Sequence, residues 1–164
     1  ILVAEDHPIN SMYMERLLRK QGFMVHCVQN GKVVLEAVDK ERYDLILMDI
    51  AMPILDGVET TKRLRAREQM QTSKDVPIIA MTAHAMKGDK EEFLAQGMND
   101  YIGKPIQSRL LLRILRGYLS AGIRTADTPE AKESPPAPKK LTPKHGAKKK
   151  KSAGAKGVEK KSAG

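Results

Sequence analysis

Long apolar runs are missing from this chain: nowhere do about 18 apolar residues follow one another, so it carries no intrinsic membrane-crossing helix. The N-terminus also lacks the basic-then-apolar pattern of an export signal. Cysteine is nearly absent. The single thiol, Cys27, excludes an intrachain disulfide, and its place in the apolar run at residues 23–28 predicts a buried thiol in a reducing, cytoplasmic setting. Methionine is missing from position 1, where Ile1 opens directly into a strand-like run. That start predicts a piece of something longer.

What is present suffices for one domain. A chain of 164 residues buries roughly two-thirds of its unfolded surface when folded, and a second full domain is not expected. The net charge of +9 is unevenly spread. Residues 1–122 hold 17 Lys+Arg against 16 Asp+Glu, whereas residues 123–164 hold 12 against 4. The front is therefore near neutral and the basic character belongs to the tail.

Through the first 120 residues, short apolar runs alternate with helical patterns, the sign of strands and crossover helices in a parallel sheet. Strands are predicted at residues 1–4, 24–28, 45–48, 78–81 and 101–102, all apolar enough for a sheet covered on both faces. Helices are predicted at residues 8–21, 31–40, 58–67, 87–96 and 108–119. Gly22 and Gly97 supply left-handed stops, and Ser108 reads as an N-cap before the stripe Leu111, Ile114, Leu115 and Tyr118. Residues 123–164 differ: five prolines and the run Lys148 to Lys151 stand among almost no large apolar side chains. That composition reads as a disordered Pro/Lys-rich tail.

In an open parallel sheet, chemistry gathers at the carboxyl ends of the strands. Glu5 and Asp6 follow the first strand, Asp49 the third, Thr82 the fourth and Lys104 the fifth. Carboxylates about 4 Å apart repel by roughly 4 kcal/mol at an effective dielectric near 20, a cost met by protonation or by a cation. An all-oxygen acidic cluster suits Mg²⁺, with lysine supplying a point charge and threonine a hydroxyl for a phosphoryl oxygen. The set points to phosphoryl transfer to a carboxylate, with Asp49 as nucleophile.

Four segments occur in order. They are Val3-Ala4-Glu5-Asp6-His7-Pro8 with Asn10; Asp44-Leu45-Ile46-Leu47-Met48-Asp49 with Met52-Pro53 and Asp56-Gly57; Pro77-Ile78-Ile79-Ala80-Met81-Thr82-Ala83; and Tyr101-Ile102-Gly103 leading to Lys104-Pro105. Over residues 1 to about 119 the chain resembles the CheY-like response-regulator receiver family, most closely the receivers of hybrid sensor histidine kinases. The resemblance implies an α/β, flavodoxin-like doubly wound sheet of five parallel strands in the order 2-1-3-4-5 with five helices, over a receiver domain at residues 1–122.

It further implies that Asp49 takes a phosphoryl group from a phosphohistidine, donated by a histidine kinase or histidine phosphotransfer protein. Mg²⁺, with Mn²⁺ as substitute, would be held by Asp6, Asp49 and the backbone carbonyl of Ala51, with Glu5 helping through water. Thr82 and Lys104 would bind phosphoryl oxygens, and Tyr101 would turn inward as Thr82 moves, a switch driven by the added dianion. A cis bond between Lys104 and Pro105 is expected on the same ground. Ala51 and His84 occupy the positions that tune phosphoryl lifetime in the family. Residues 67–75 form a longer connection than usual, and Gln69, Gln71, Thr72 and Ser73 read as a surface loop.

Plainer readings attach to other residues. Asp56 and Gly57 read as a turn and cap, Met48, Met52 and Met81 as packing, and His7 as a solvent-facing imidazole. His26 and His145 have no partners at zinc-ligand spacing. An aspartyl-phosphate phosphatase would carry a second acid two residues beyond its nucleophile, where this chain has Ala51. The domain is thus expected to accept phosphate without turnover, and a parent chain to be a hybrid histidine kinase with the receiver at the inner membrane face. A stand-alone regulator is the alternative. The basic tail is a candidate for weak polyanion contact.

Overall fold

The computed structural model describes residues 1–83 and 89–120. The predicted tail, His84, His145 and the start expected for the fourth helix at residue 87 lie outside the described residues. Five strands and five helices alternate: β1 (Leu2–Ala4), α1 (Pro8–Lys20), β2 (His26–Val28), α2 (Gly31–Lys40), β3 (Ile46–Asp49), α3 (Gly57–Arg65), β4 (Ile78–Thr82), α4 (Asp89–Ala95), β5 (Asp100–Gly103) and α5 (Ser108–Ser120). All strand pairings are parallel, in the order β2-β1-β3-β4-β5. The register sets Ala4 beside Met48, Asp49 beside Met81, and Thr82 beside Gly103. The expected sheet order is therefore the observed one.

Alternation along the central strands sends side chains into two cores. Leu2, Ala4, Ile46, Met48, Ile78 and Ala80 face one layer, packed against Val34 and Val38 of α2, Leu64 of α3 and Phe93 of α4. Val3, Leu47, Ile79 and Met81 face the other, against Met14 and Leu18 of α1 and Leu111 and Leu115 of α5. Each fully buried Leu or Ile adds roughly 1.5–3 kcal/mol relative to exposure. The burial of β1, β3 and β4 on both faces explains their unbroken apolar runs.

Edge strands depart from that reading. Met24, expected in β2, is 88% exposed, and the strand begins only at His26. Cys27 is half-buried, not buried, its Sγ 4.0 Å from the Ser11 carbonyl oxygen. An edge strand is covered less than a central one, which periodicity alone does not reveal. The His26 Nδ1 lies 2.5 Å from the Tyr43 hydroxyl, which donates to Glu41 at 3.0 Å.

Two further positions changed character. Thr72, expected on a surface loop, is fully buried; its hydroxyl donates to the Glu41 carbonyl at 2.6 Å and accepts from Tyr43 N–H at 3.1 Å. Ser108 opens α5 as its first residue, its hydroxyl 2.9 Å from that of Tyr13. The helix stops behave as expected, with Gly22 at φ +88° and Gly97 at φ +93°. No helix among the described residues is long and apolar enough to cross a membrane.

Candidate functional site

Parallel strands all deliver their carboxyl ends to one rim of the sheet. Glu5 and Asp6 leave β1, while Asp49 and Thr82 end β3 and β4. Lys104 directly follows β5, and the bond from Lys104 to Pro105 is cis. Carboxylate oxygens of Glu5, Asp6 and Asp49 all lie within 4.8 Å of one another. Lys104 Nζ donates to Asp49 Oδ2 at 2.6 Å and to Glu5 Oε2 at 2.7 Å. Residues from three strand ends, up to 99 positions apart, thus form one charged cluster.

Burial gives the cluster its electrostatics. Glu5 and Asp49 are only 2% and 3% exposed, whereas Asp6 faces solvent. Burial, reinforced by repulsion from Glu5, raises the Asp49 pKa despite the opposing Lys104 ammonium and Ala51 N–H. Burial draws Lys104 down, but the two carboxylates outweigh it and its pKa is raised overall. Glu5 has further donors: Asn10 Nδ2 at 3.0 Å and His7 N–H at 3.3 Å reach its Oε1. Its direct bond to Lys104 goes beyond the water-borne part expected of it. Asn10 stood in the quoted motif without a role; its place in the first turn of α1, after the acid pair, was the available signal.

The loop after β3 is built around Asp49. Ala51 N–H donates to Asp49 Oδ1 at 3.2 Å, and Gly57 N–H to the Ile50 carbonyl at 3.0 Å. Asp56 caps α3, its Oδ1 accepting Glu59 N–H at 2.7 Å, as its plain reading held. Gly57 does more than turn the chain. A Cβ there would meet the Asp49 carbonyl oxygen at 2.2 Å, so α3 begins against the backbone of Asp49 only because residue 57 has no side chain. Thr82 is buried at the same rim, and its carbonyl accepts Lys104 N–H at 2.7 Å. Tyr101 is half-buried on β5, its ring 6.1 Å from that of Phe93. Met48, Met52 and Met81 are packing residues, and His7 is exposed.

A cleft of about 240 Å³ adjoins the cluster between α1 and the turn after β5, lined by Glu5, Asn10, Tyr13, Met14, Lys104, Pro105 and Ile106. A wider one, lined by Ile1, Met24, Asp44 and Pro77 among others, lies at the opposite end of the strands, away from these groups.

Residues 1–116 match the family described as the response regulator receiver domain. The chain belongs to that family. It is a receiver domain of two-component signalling systems, and the homologues are receivers of hybrid histidine kinases. It is 45% identical over 120 residues to hybrid signal transduction histidine kinase I of Dictyostelium discoideum, covering 70% of this chain and 7% of that protein. To the sensor histidine kinase GacS of Pseudomonas protegens it is 36% identical over 135 residues, covering 82% and 15%. The chain thus spans a small part of the curated relatives it matches. Among solved structures, the receiver domain of sensor histidine kinase PA1611 from Pseudomonas aeruginosa, with a magnesium ion coordinated in its active-site cleft, matches at 42% identity. Its TM-score is 0.65, and the match covers 73% of this receiver and 95% of that one.

The donor set of this receiver suits a hard divalent cation. Three carboxylates converge against one ammonium, leaving two negative charges uncompensated, and every side-chain donor of the acidic set is oxygen.

Proposed function

We propose that this receiver accepts a phosphoryl group on Asp49 from a phosphohistidine donor in the presence of Mg²⁺, with Mn²⁺ able to substitute. The observation that carries the reading is the buried Asp49 carboxylate within reach of both an ammonium and two further acids. Glu5, Asp6, Asp49 and the Ala51 carbonyl would hold the ion. Bound there, it would supply positive charge that offsets the repulsion between the cluster and an incoming phosphoryl group.

The chain's own residues do the remainder. An Asp49 carboxylate oxygen forms the new bond to phosphorus as the bond to the donor imidazole nitrogen breaks, and the electron pair leaves with the imidazole. Lys104, already at carboxylate distance, turns an N–H donor to a phosphoryl oxygen, and the Thr82 hydroxyl supplies another. Tyr101 follows Thr82 as the switch.

Family relatives support a hybrid histidine kinase as the parent protein, with this domain on the cytoplasmic side of the membrane and a histidine kinase or phosphotransfer protein as partner. The lysine-rich tail adds weak contact with a polyanion through counterion release. Removing residues 139–164 should abolish that salt-sensitive binding; unchanged retention on a polyanion column would reject it.

Incubation with a small phosphodonor and Mg²⁺ tests the core reading by intact mass. One hydroxylamine-labile phosphoryl group is expected on the wild type and none on Asp49→Asn. Equal labelling of both proteins would exclude Asp49 as acceptor.

A further inference from the structure

The loop joining β3 to α3 carries a backbone conformation that needs an outside hold. Ile54 has φ +70°, a region β-branched residues rarely adopt, and it is 78% exposed, so its own side chain gains little by burial. Leu55 N–H closes a three-residue turn around it onto the Pro53 carbonyl at 2.8 Å. Turns of this kind are strained and persist only where their surroundings over-determine them.

The surroundings supply two holds. On the α3 side, Gly57 N–H binds the Ile50 carbonyl at 3.0 Å. On the other side the hold comes from a different element: Gly31 N–H, at the start of α2, donates to the Leu55 carbonyl at 3.1 Å. Gly31 has no room for a side chain. A Cβ there would meet Thr60 Oγ1 at 1.8 Å and the Leu55 carbonyl oxygen at 2.6 Å. Thr60 is itself fixed, fully buried with its hydroxyl on the Asp56 carbonyl at 2.5 Å.

We infer that Gly31 is a positioning residue for the acidic cluster: by pinning Leu55, it keeps the strained loop closed so that Ala51 N–H stays on Asp49 Oδ1. The path is short and wholly backbone: Gly31 to Leu55, through the turn at Ile54, back to Ala51, and from there to the carboxylate at 3.2 Å. Release of Leu55 lets the turn relax, and relaxation draws the Ala51 amide away from Asp49. Groups that orient a ligating side chain in this way typically govern about 10–100-fold in metal affinity. Binding and hold are reciprocal, so an ion on the cluster tightens the bond at Gly31. The inference rests on the magnesium reading above.

The experiment measures Mg²⁺ affinity by calorimetry and stability by urea unfolding in the full chain, for wild type, Thr60→Ala, Gly31→Ala and the double variant. Thr60→Ala removes the hydroxyl that a Cβ at position 31 would strike, while leaving the Leu55 carbonyl in its way. Stability in the double variant should recover toward that of Thr60→Ala, whereas Mg²⁺ affinity should stay about tenfold or more below the wild type. Recovery of both would make Gly31 a packing residue only and overturn the inference. Hydrogen exchange in the wild type needs no variant: protection of the Gly31 amide should rise on adding Mg²⁺, and unchanged protection would count against the coupling. A wild type that bound no Mg²⁺ would overturn the functional reading and this inference with it.

Discussion

Lys104 and Asp49 stand 55 positions apart in sequence and 2.6 Å apart in space, and Glu5 shares the same ammonium at 2.7 Å. Two buried carboxylates share one cation, so Lys104 is the group that offsets the charge of the pair. Lys104→Ala leaves them facing each other unpaired and should destabilise the fold by about 3 kcal/mol, the low end for breaking a buried pair because Lys104 keeps 23% exposure. Adding Asp49→Asn to that variant should restore much of the loss in urea unfolding. No recovery would mean that the lysine acts through packing of its stem.

The Asp49 charge itself works against the metal-free fold. Burial and repulsion from Glu5 put its folded pKa above the unfolded value of 3.8, so the folded chain holds this proton more tightly than the unfolded one. Its contribution to stability therefore falls as pH rises from about 3.8 through the folded pKa, then levels off. Without divalent ions, Asp49→Asn should raise Tm on the order of a few degrees at neutral pH, with the gain shrinking as pH falls toward the unfolded value. Mg²⁺ should raise the wild-type Tm more than that of the variant. A variant less stable than wild type at neutral pH contradicts this account.

Gly57→Ala probes the seat of the phosphoacceptor. A Cβ at 2.2 Å from the Asp49 carbonyl oxygen cannot be accommodated, so the Asp49 backbone or the start of α3 must move. Overpacking of this kind costs about 1–3 kcal/mol, and a displacement near 1 Å at the reacting group can cost about 100-fold in rate. Phosphodonor labelling should slow by at least about tenfold in protein that remains folded by circular dichroism. Labelling at the wild-type rate would mean that Asp49 tolerates the shift.

Asn99 ties three elements together, and its side-chain oxygen can be tested separately from its size. Oδ1 accepts Ile78 N–H at 2.8 Å and Arg65 Nη2 at 2.9 Å, while the Asn99 carbonyl accepts the Tyr118 hydroxyl at 2.8 Å. Burial lowers the Arg65 pKa, with Asp75 opposing, so this guanidinium depends on its acceptors. Asn99→Ala orphans a buried peptide N–H and should cost about 1–3 kcal/mol, whereas Asn99→Asp keeps the acceptor and should change stability by less than about 1 kcal/mol. Equal losses in chemical denaturation would refute the acceptor role.

Periodicity made the architecture legible. Central strands are buried on both faces, so Leu45 to Met48 and Ile78 to Met81 read as unbroken apolar runs, and the helices between them showed their stripes and glycine stops. Edges were less legible. Met24 and Cys27 look as apolar as any core residue, yet Met24 falls before β2 and is exposed, and Cys27 is only half-buried on a strand with a single neighbour.

The site divides along the same line. Sequence alone determined which residue types stand at the ends of which strands, because the order of elements and the chemistry of Glu5, Asp6, Asp49, Thr82 and Lys104 are written in the chain. Tertiary structure alone decided what those residues do to one another: that Glu5 meets Lys104 directly, that Asn10 holds Glu5, and that Gly31 and Gly57 leave room for backbone to press on the loop around Asp49. Such contacts depend on distances of a few tenths of an ångström between elements far apart in sequence, and no local pattern of residues encodes them.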